Sequence, residues 1–232
     1  TQADGTTLVD AWCEVKIDDT SATVWVEFPT TPANTVEQTY YMYYGNSGAS
    51  SDWDGAATFL QWHGAASASF LDSLSVSVPF IYEGRIKPTT SSHLILWGVA
   101  DGYYKATDGI LLQSYTQGGT RAIRSFEASS ESLETEPPAL SNGTTYNTKI
   151  IATASNVNGY IDGNEISDGF ATNIPDDAIG LVFDLSVGTG EQEWSFARKY
   201  ASNPATYAFG SEESAPISGN PFWYYNMLKR RN

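Results

Sequence analysis

Alternation constrains this chain more than any other feature. Ser21-Ala22-Thr23-Val24-Trp25-Val26-Glu27-Phe28 runs with a period near two and stops at Pro29 and Pro32. Such a period sends successive side chains to opposite faces of a strand. Thr39–Tyr44 is an aromatic run closed by Gly45-Asn46-Ser47-Gly48. Further runs follow at Leu74–Val78, Phe80–Lys87, His93–Val99, Ile110–Tyr115, Thr120–Phe126, Tyr146–Ala154, Ala178–Leu185, Glu193–Tyr200 and Thr206–Phe209. Aromatic and β-branched residues, which favour a pleated half-buried surface, dominate them. Spacing of roughly ten residues, punctuated by Gly, Asn, Asp or Pro, marks an all-β sandwich or barrel. Asp162-Gly163, between Val157–Ile161 and Asn164–Ile166, predicts a hairpin with a type I′ turn. Helical signals are confined to one turn within Ser51–Trp62, capped by Asp52 or Asp54, and one within residues 222–228.

Three parts are expected. Residues 1–66 form a smaller β-rich segment, 67–213 the sandwich, and 214–232 an extended aromatic and basic tail outside it. The small-residue stretch Gly64–Ser69 marks the first boundary. Glu127–Pro138, with four glutamates and a Pro-Pro, reads as an exposed loop.

Charge narrows the partners. The chain carries 27 acidic and 12 basic residues, a formal −15, and three of the cations lie in the last four positions. Such a surface repels phosphate backbones and anionic membranes, so no nucleic-acid partner is expected. No apolar run approaches the ~20 residues of a membrane helix, so no membrane insertion is expected either. Acidity with abundant Thr, Ser, Gly and Asn suits an exported, solvated protein. Cys13 is the sole cysteine, which excludes an internal disulfide; its alternating surroundings predict a small buried hydrophobe.

Catalytic patterns are scarce. His63 and His93 are the only histidines and show no zinc spacing; both read as packing residues. No nucleophile elbow and no phosphate loop occurs. Glycoside hydrolysis needs two carboxyl groups about 5–9.5 Å apart on a rigid scaffold. The nearest set, Glu131, Glu134 and Glu136, falls in the Ser/Pro-rich segment, and Arg121–Glu127 only faintly echoes the Arg-rich strand of sandwich polysaccharide lyases. A non-catalytic protein is therefore expected, with a polysaccharide-active enzyme as one alternative. Asp101 and Asp108 form a candidate calcium pair, and Asp162, Asn164 and Asp168 a second; in both places a plain turn is the favoured account of the residues. Trp97, Asp101, Tyr103, Tyr104 and Lys105 form a candidate glycan platform in the loop after the His93–Val99 strand.

Asp4–Trp12, Ala22–Pro29, Tyr41–Asn46 and Ala56–Phe59 together resemble an uncharacterised domain family of bacterial and archaeal surface proteins. That family commonly precedes a concanavalin A-like, laminin G-like sandwich, which implies an all-β antiparallel jelly roll whose signs here are Tyr82–Ile86, Gly159–Gly163 and Ala197–Ala205. The resemblance implies a cell-surface, adhesion or virion setting and a start that is truncated or processed. It transfers no catalytic residue. Phe222, Trp223, Tyr224 and Tyr225, followed by Lys229, Arg230 and Arg231, form an apolar and basic cluster. It either docks on a partner, joining an assembly or homo-oligomer, or folds back on its own sandwich. The reading is an extracellular, cell-surface or virion protein that binds a glycan or surface protein, with a structural subunit joined through the tail as the other alternative.

Overall fold

A computed structural model of the 232-residue chain describes residues 7–17, 21–28, 39–44, 53–89, 94–103, 106–115, 119–136, 138–185, 189–202, 209–213 and 223–227. In chain order the elements are β1 (Ala11–Ile17), β2 (Ser21–Val26), β3 (Tyr40–Tyr44), α1 (Gly55–Thr58), β4 (Gln61–His63), β5 (Phe70–Leu71), β6 (Phe80–Pro88), β7 (Leu94–Ala100) and β8 (Gly109–Tyr115). They continue with β9 (Thr120–Glu127), β10 (Ser130–Glu136), β11 (Tyr146–Thr153), β12 (Asn156–Ile161), β13 (Asn164–Phe170), β14 (Gly180–Asp184), β15 (Gly190–Lys199), β16 (Phe209–Glu213) and β17 (Trp223–Met227). The fold is all-β, and its contacts divide it into two units: Thr1–Thr58 with Ala201–Asn232, and Phe59–Tyr200.

The first unit is discontinuous in sequence. β1 and β2 form an antiparallel ribbon in which Trp12 faces Trp25, with an irregularity between Cys13 and Val15. There Trp25 Nε1 donates to Glu14 Oε2 at 2.9 Å. Cys13 is half-buried rather than fully buried, because a two-stranded ribbon covers only one of its faces; its thiol contacts the Val15 carbonyl at 3.6 Å. Burial still raises the thiol above its ordinary pKa, which disfavours the reactive thiolate. Asp54 caps α1, its Oδ1 accepting the Ala57 amide at 3.0 Å. The second sheet of this unit has the order β16-β17-β3, so the strand near the end of the chain is central, paired on one side with residues 40–44 and on the other with 209–213. The helical turn expected within residues 222–228 is instead this strand. Its run Trp-Tyr-Tyr favours an extended backbone, and pairing on both sides satisfies its amides and carbonyls.

The second unit is the sandwich. One sheet has the order β10-β9-β8-β7-β14-β5 and the other β13-β12-β11-β6-β15-β4, with antiparallel pairing throughout. Their facing sides interdigitate in one core that includes Phe80, Tyr82, Trp97, Leu112, Ile150 and Phe183. Each such side chain contributes about 1.5–3 kcal/mol by leaving water. The sheets approach so closely at Gly159 that a Cβ there would lie 2.7 Å from Ile123 Cδ1 and 2.8 Å from Leu112 Cδ2. β11 and β12 alternate buried and half-buried positions, as a sheet with one covered face requires. β7 and β14 are buried on both faces; Leu96, Leu111, Phe126 and Val182 form a second apolar cluster on the far side of their sheet.

Several segments depart from expectation. Residues 61–63 pair with β15 inside the sandwich, so this unit begins at Phe59 instead of residue 67, and it ends at Tyr200 because residues 209–213 pair with β17. The acidic segment expected as a loop forms β10, because each glutamate that would repel a neighbour meets a cation or an open edge: Arg121 pairs with Glu136 and Arg124 with Glu131. The predicted Leu74–Val78 strand contributes only a single bridge from Val76 to Ile179. No helix among the described residues is long and apolar enough to cross a membrane.

Candidate functional site

The residues singled out after β7 do not converge on a platform. Trp97 sits mid-strand with 0% of its surface exposed, on the core-facing side of β7, and cannot offer its ring to a ligand. Tyr103 is 40% exposed, while Tyr104 and Lys105 lie outside the described residues. Asp101 and Asp108 each hold backbone through one oxygen. Asp101 Oδ1 accepts the amides of Thr107 and Asp108 at 2.8 and 3.1 Å, and Asp108 Oδ1 accepts the amide of Ala128 at 3.1 Å. Asp162 likewise accepts the Asn147 amide at 2.9 Å and, with Gly163, makes the type I′ turn at positive φ. Among the described residues no three His, Cys, Asp or Glu side chains gather as a metal site. Trp223, Tyr224 and Tyr225 belong to β17, whose main chain is paired within this chain on both sides, with β16 and with β3. Phe222, Lys229, Arg230 and Arg231 lie outside the described residues, as does His93.

A more ordered constellation lies on the outward face of the sheet containing β13, β12, β11 and β6. Ile166, Ile161, Ile150 and Tyr82 point into the core, so the intervening residues point out. Register then builds a row: Glu165 opposite Tyr160, Tyr160 opposite Lys149, and Lys149 opposite Glu83. The row is held by side-chain bonds. Asn156 donates to Asn158 Oδ1, Asn158 Nδ2 donates to Glu165 Oε1, and the Tyr160 hydroxyl donates to the same oxygen at 3.5 Å. Lys149 Nζ lies 4.7 Å from the centre of the Tyr160 ring, a cation–π distance. Partial burial, then the Glu165 charge, pushes the Tyr160 hydroxyl above its usual pKa and keeps it a donor.

Charges beside this row are mostly neutralised. Arg198 donates through Nε and Nη2 to Glu83 Oε1 at 3.0 and 2.7 Å, Arg85 pairs with Glu193 at 3.1 Å, and Lys87 pairs with Glu191 at 2.9 Å. Among the described residues Lys149 is given no such pair; its ammonium lies over the Tyr160 ring, and the exposed Glu165 stands one strand further on, on the other side of that ring. Toward β15 and β4 the same face turns apolar, where Phe59 stacks on Phe196 at 3.9 Å and Trp194 follows at 5.4 Å.

The histidine at position 63 forms part of a familiar arrangement. Its Nδ1 lies 3.1 Å from Asp72 Oδ1, its ring stacks 3.5 Å from Phe70, and its register partner is Ser195. No hydrogen bond joins His63 to Ser195, which is only 1% exposed, so a nucleophile–base pair is not formed. The pair ties β4 to the segment after β5.

Sequence reasoning missed Tyr160, Lys149, Asn158 and Glu165. Asn158 and Tyr160 sit two apart on one strand, which was a readable signal for a shared face. Their relation to Lys149 and Glu165 depends on strand register, which local pattern does not carry.

Residues 1–74 match a family described as Domain of unknown function (DUF2341), which spans about a third of the chain. No curated protein matches the chain. Among solved structures, the galectin LEC-6 of Caenorhabditis elegans is 9% identical, with 57% of this chain and 94% of the galectin covered at a TM-score of 0.43. The carbohydrate binding module CBM66 from Bacillus subtilis is 13% identical, with 60% and 88% covered at 0.42. A prokaryotic β-1,3-1,4-glucanase (lichenase) derived from a mouse hindgut metagenome is 12% identical, with 52% and 66% covered at 0.42. At this depth of likeness the functions of those proteins do not pass to this chain.

Proposed function

We propose that the sandwich is a non-catalytic, extracellular recognition module that takes a glycan across the outward face of β11, β12 and β13. The observation that carries this reading is the bonded set Asn156–Asn158–Glu165–Tyr160, with Lys149 over the tyrosine ring. Sugar hydroxyls both donate and accept, so the Lys149 ammonium on one side of the ring and the Glu165 carboxylate on the other serve them, while the ring offers apolar area to the C–H face. The mutual bonds hold the side chains before a ligand arrives, which lowers the ordering cost of binding. Support for the non-catalytic part is that Glu83, Glu131, Glu136, Glu191 and Glu193 are each engaged by a cation.

The test is retention of the full chain on a panel of neutral and uronic-acid polysaccharides in affinity electrophoresis. At least one polymer slows the chain, and Tyr160→Ala weakens that retention by about tenfold, the usual loss for an aromatic anchor. Retention unchanged in Tyr160→Ala, with the variant shown folded by circular dichroism, removes the site; no retention by any polymer removes the function.

A further inference from the structure

We infer that the glycan taken by this face is uncharged, a neutral polysaccharide and not a uronic-acid or sulfated one. This rests on the reading of the outward face of β11, β12 and β13 as a glycan site, and names the class of sugar that the site selects.

An acidic polymer is held by several cations that turn to it together. The cations beside the row are already engaged within their own sheet. Arg85 holds Glu193 at 3.1 Å, Lys87 holds Glu191 at 2.9 Å, and Arg198 holds Glu83 at 2.7 Å, the last through two nitrogens. A uronic carboxylate that displaced one of these would exchange like for like. The resident carboxylate is tethered by the chain at a high effective concentration, so the exchange gains nothing.

Lys149 is the remaining cation of the row, and its surroundings oppose an anion. Register sets it between Tyr160 on β12 and Glu83 on β6, with Glu165 beyond the tyrosine. Strands are spaced by about 4.8 Å, so an anion above Lys149 stands roughly one spacing from the Glu83 strand and two from the Glu165 strand. Both separations are comparable to the screening length of about 8 Å at physiological salt. The ammonium is also shared with the tyrosine ring, 4.7 Å from its centre. The formal charge of −15 on the whole chain adds repulsion at longer range.

Neutral chemistry is what this face presents in quantity. Val157 and Ile161 point into the core, so Asn156, Asn158 and Tyr160 line the outward side of β12; Asn147 stands exposed on β11. Carboxamides and a phenol both donate and accept without charge, as sugar hydroxyls do. None of these contacts calls for a counter-ion on the ligand.

The test is depletion of the full chain from solution by beads carrying neutral polymers (a β-glucan, a mannan, a galactan) or acidic ones (alginate, pectate, dextran sulfate). It is run at about 0.01 M and about 0.15 M salt, between which the screening length falls from roughly 30 to 8 Å. A neutral polymer is expected to deplete the chain with an affinity that changes less than about twofold between the two salts, and acidic polymers to leave it in solution. An acidic polymer bound more tightly than any neutral one, released by salt and lost in Lys149→Gln, overturns the neutral class while leaving the face as a site. Depletion by no polymer of either kind overturns the glycan reading and this inference with it. A second variant reads the charge argument directly. Arg85 stands diagonally from Lys149, about 7–8 Å away, so Glu191→Gln with Glu193→Gln sets two cations free on the same side of the sheet. That double variant, shown folded by circular dichroism, is expected to gain binding to alginate or pectate at low salt. A folded double variant that still ignores both overturns the argument that ion pairing keeps acidic polymers out.

Discussion

The turn between β9 and β10 shows how far one carboxylate can reach. Ala128 and Ser129 both hold positive φ, at 45° and 66°, without a glycine in the turn. Left-handed backbone costs a side-chain-bearing residue roughly 1–2 kcal/mol, so something outside the hairpin must hold it. Asp108 Oδ1 accepts the Ala128 amide, and the Ser129 amide donates to the Thr107 carbonyl at 2.9 Å. Ser129→Gly is therefore expected to raise stability by about 1 kcal/mol in urea unfolding, while Asp108→Ala lowers it by about 1 kcal/mol by removing the acceptor of the Ala128 amide. The Asp162-Gly163 turn was legible in the sequence because its glycine announces the conformation; the Ala128-Ser129 turn was not, because its support comes from a loop twenty residues earlier. Tyr82 gives a second residue-scale expectation. Complete burial pushes its hydroxyl well above the ordinary tyrosine pKa, with Thr148 and Ser195 beside it offsetting only part. The folded state then holds that proton more tightly than the unfolded one. Its contribution is full below about pH 10, the unfolded value, and is lost as pH rises further through the folded one. Tyr82→Phe should flatten the alkaline fall in stability measured by urea unfolding between pH 9 and 11; an unchanged slope counts against this assignment.

At the scale of elements, strands with one covered face were the readable ones. β6, β11 and β12 alternate in burial as they do in sequence, and the core-facing Ile150, Val157 and Ile161 follow directly from that pattern. β10 escaped because serines and glutamates carry little strand propensity and form an edge with only intermediate or exposed positions. What holds it is cross-strand charge. Arg124, 8% exposed, meets Glu131 and lies 5.3 Å above the Phe126 ring. Arg124→Ala removes both contacts and leaves Glu131 without this partner, at an expected cost of about 2 kcal/mol in thermal or urea unfolding. A change under 0.5 kcal/mol would mean that main-chain pairing alone keeps β10 in place. The candidate site failed to show itself for a related reason. Sequence reasoning looked to loops for binding aromatics and found Trp97 and Tyr103, of which the first is core. Tyr160 and Lys149 lie inside regular strands and become neighbours only through the β11–β12 register, a tertiary fact.

The whole chain is organised as one unit interrupted by another. The first unit draws strands from both ends of the sequence, and the sandwich occupies the interval between them. Such an insertion requires the ends of the inserted unit to lie side by side, since the host resumes where it was broken. The sandwich meets that condition locally. Its first strand, β4, is hydrogen-bonded to its last, β15, with Gln61 opposite Ala197 and His63 opposite Ser195. Phe59, at its very start, stacks almost parallel on Phe196, and the Gln61 amide bonds link the Ser73 carbonyl to the Leu181 amide at 2.7 Å each. These contacts close the unit on itself and do not call on the host. Residues 59–200 expressed alone are therefore expected to fold, keeping the near-ultraviolet signature of Trp97 and Trp194 in fixed surroundings and unfolding in one cooperative transition. The same transition should be recognisable in the full chain, where the host adds a second that the excised piece lacks. A piece that keeps strand content but loses its near-ultraviolet signal would instead show that the sandwich core is packed only in the presence of the interrupted unit.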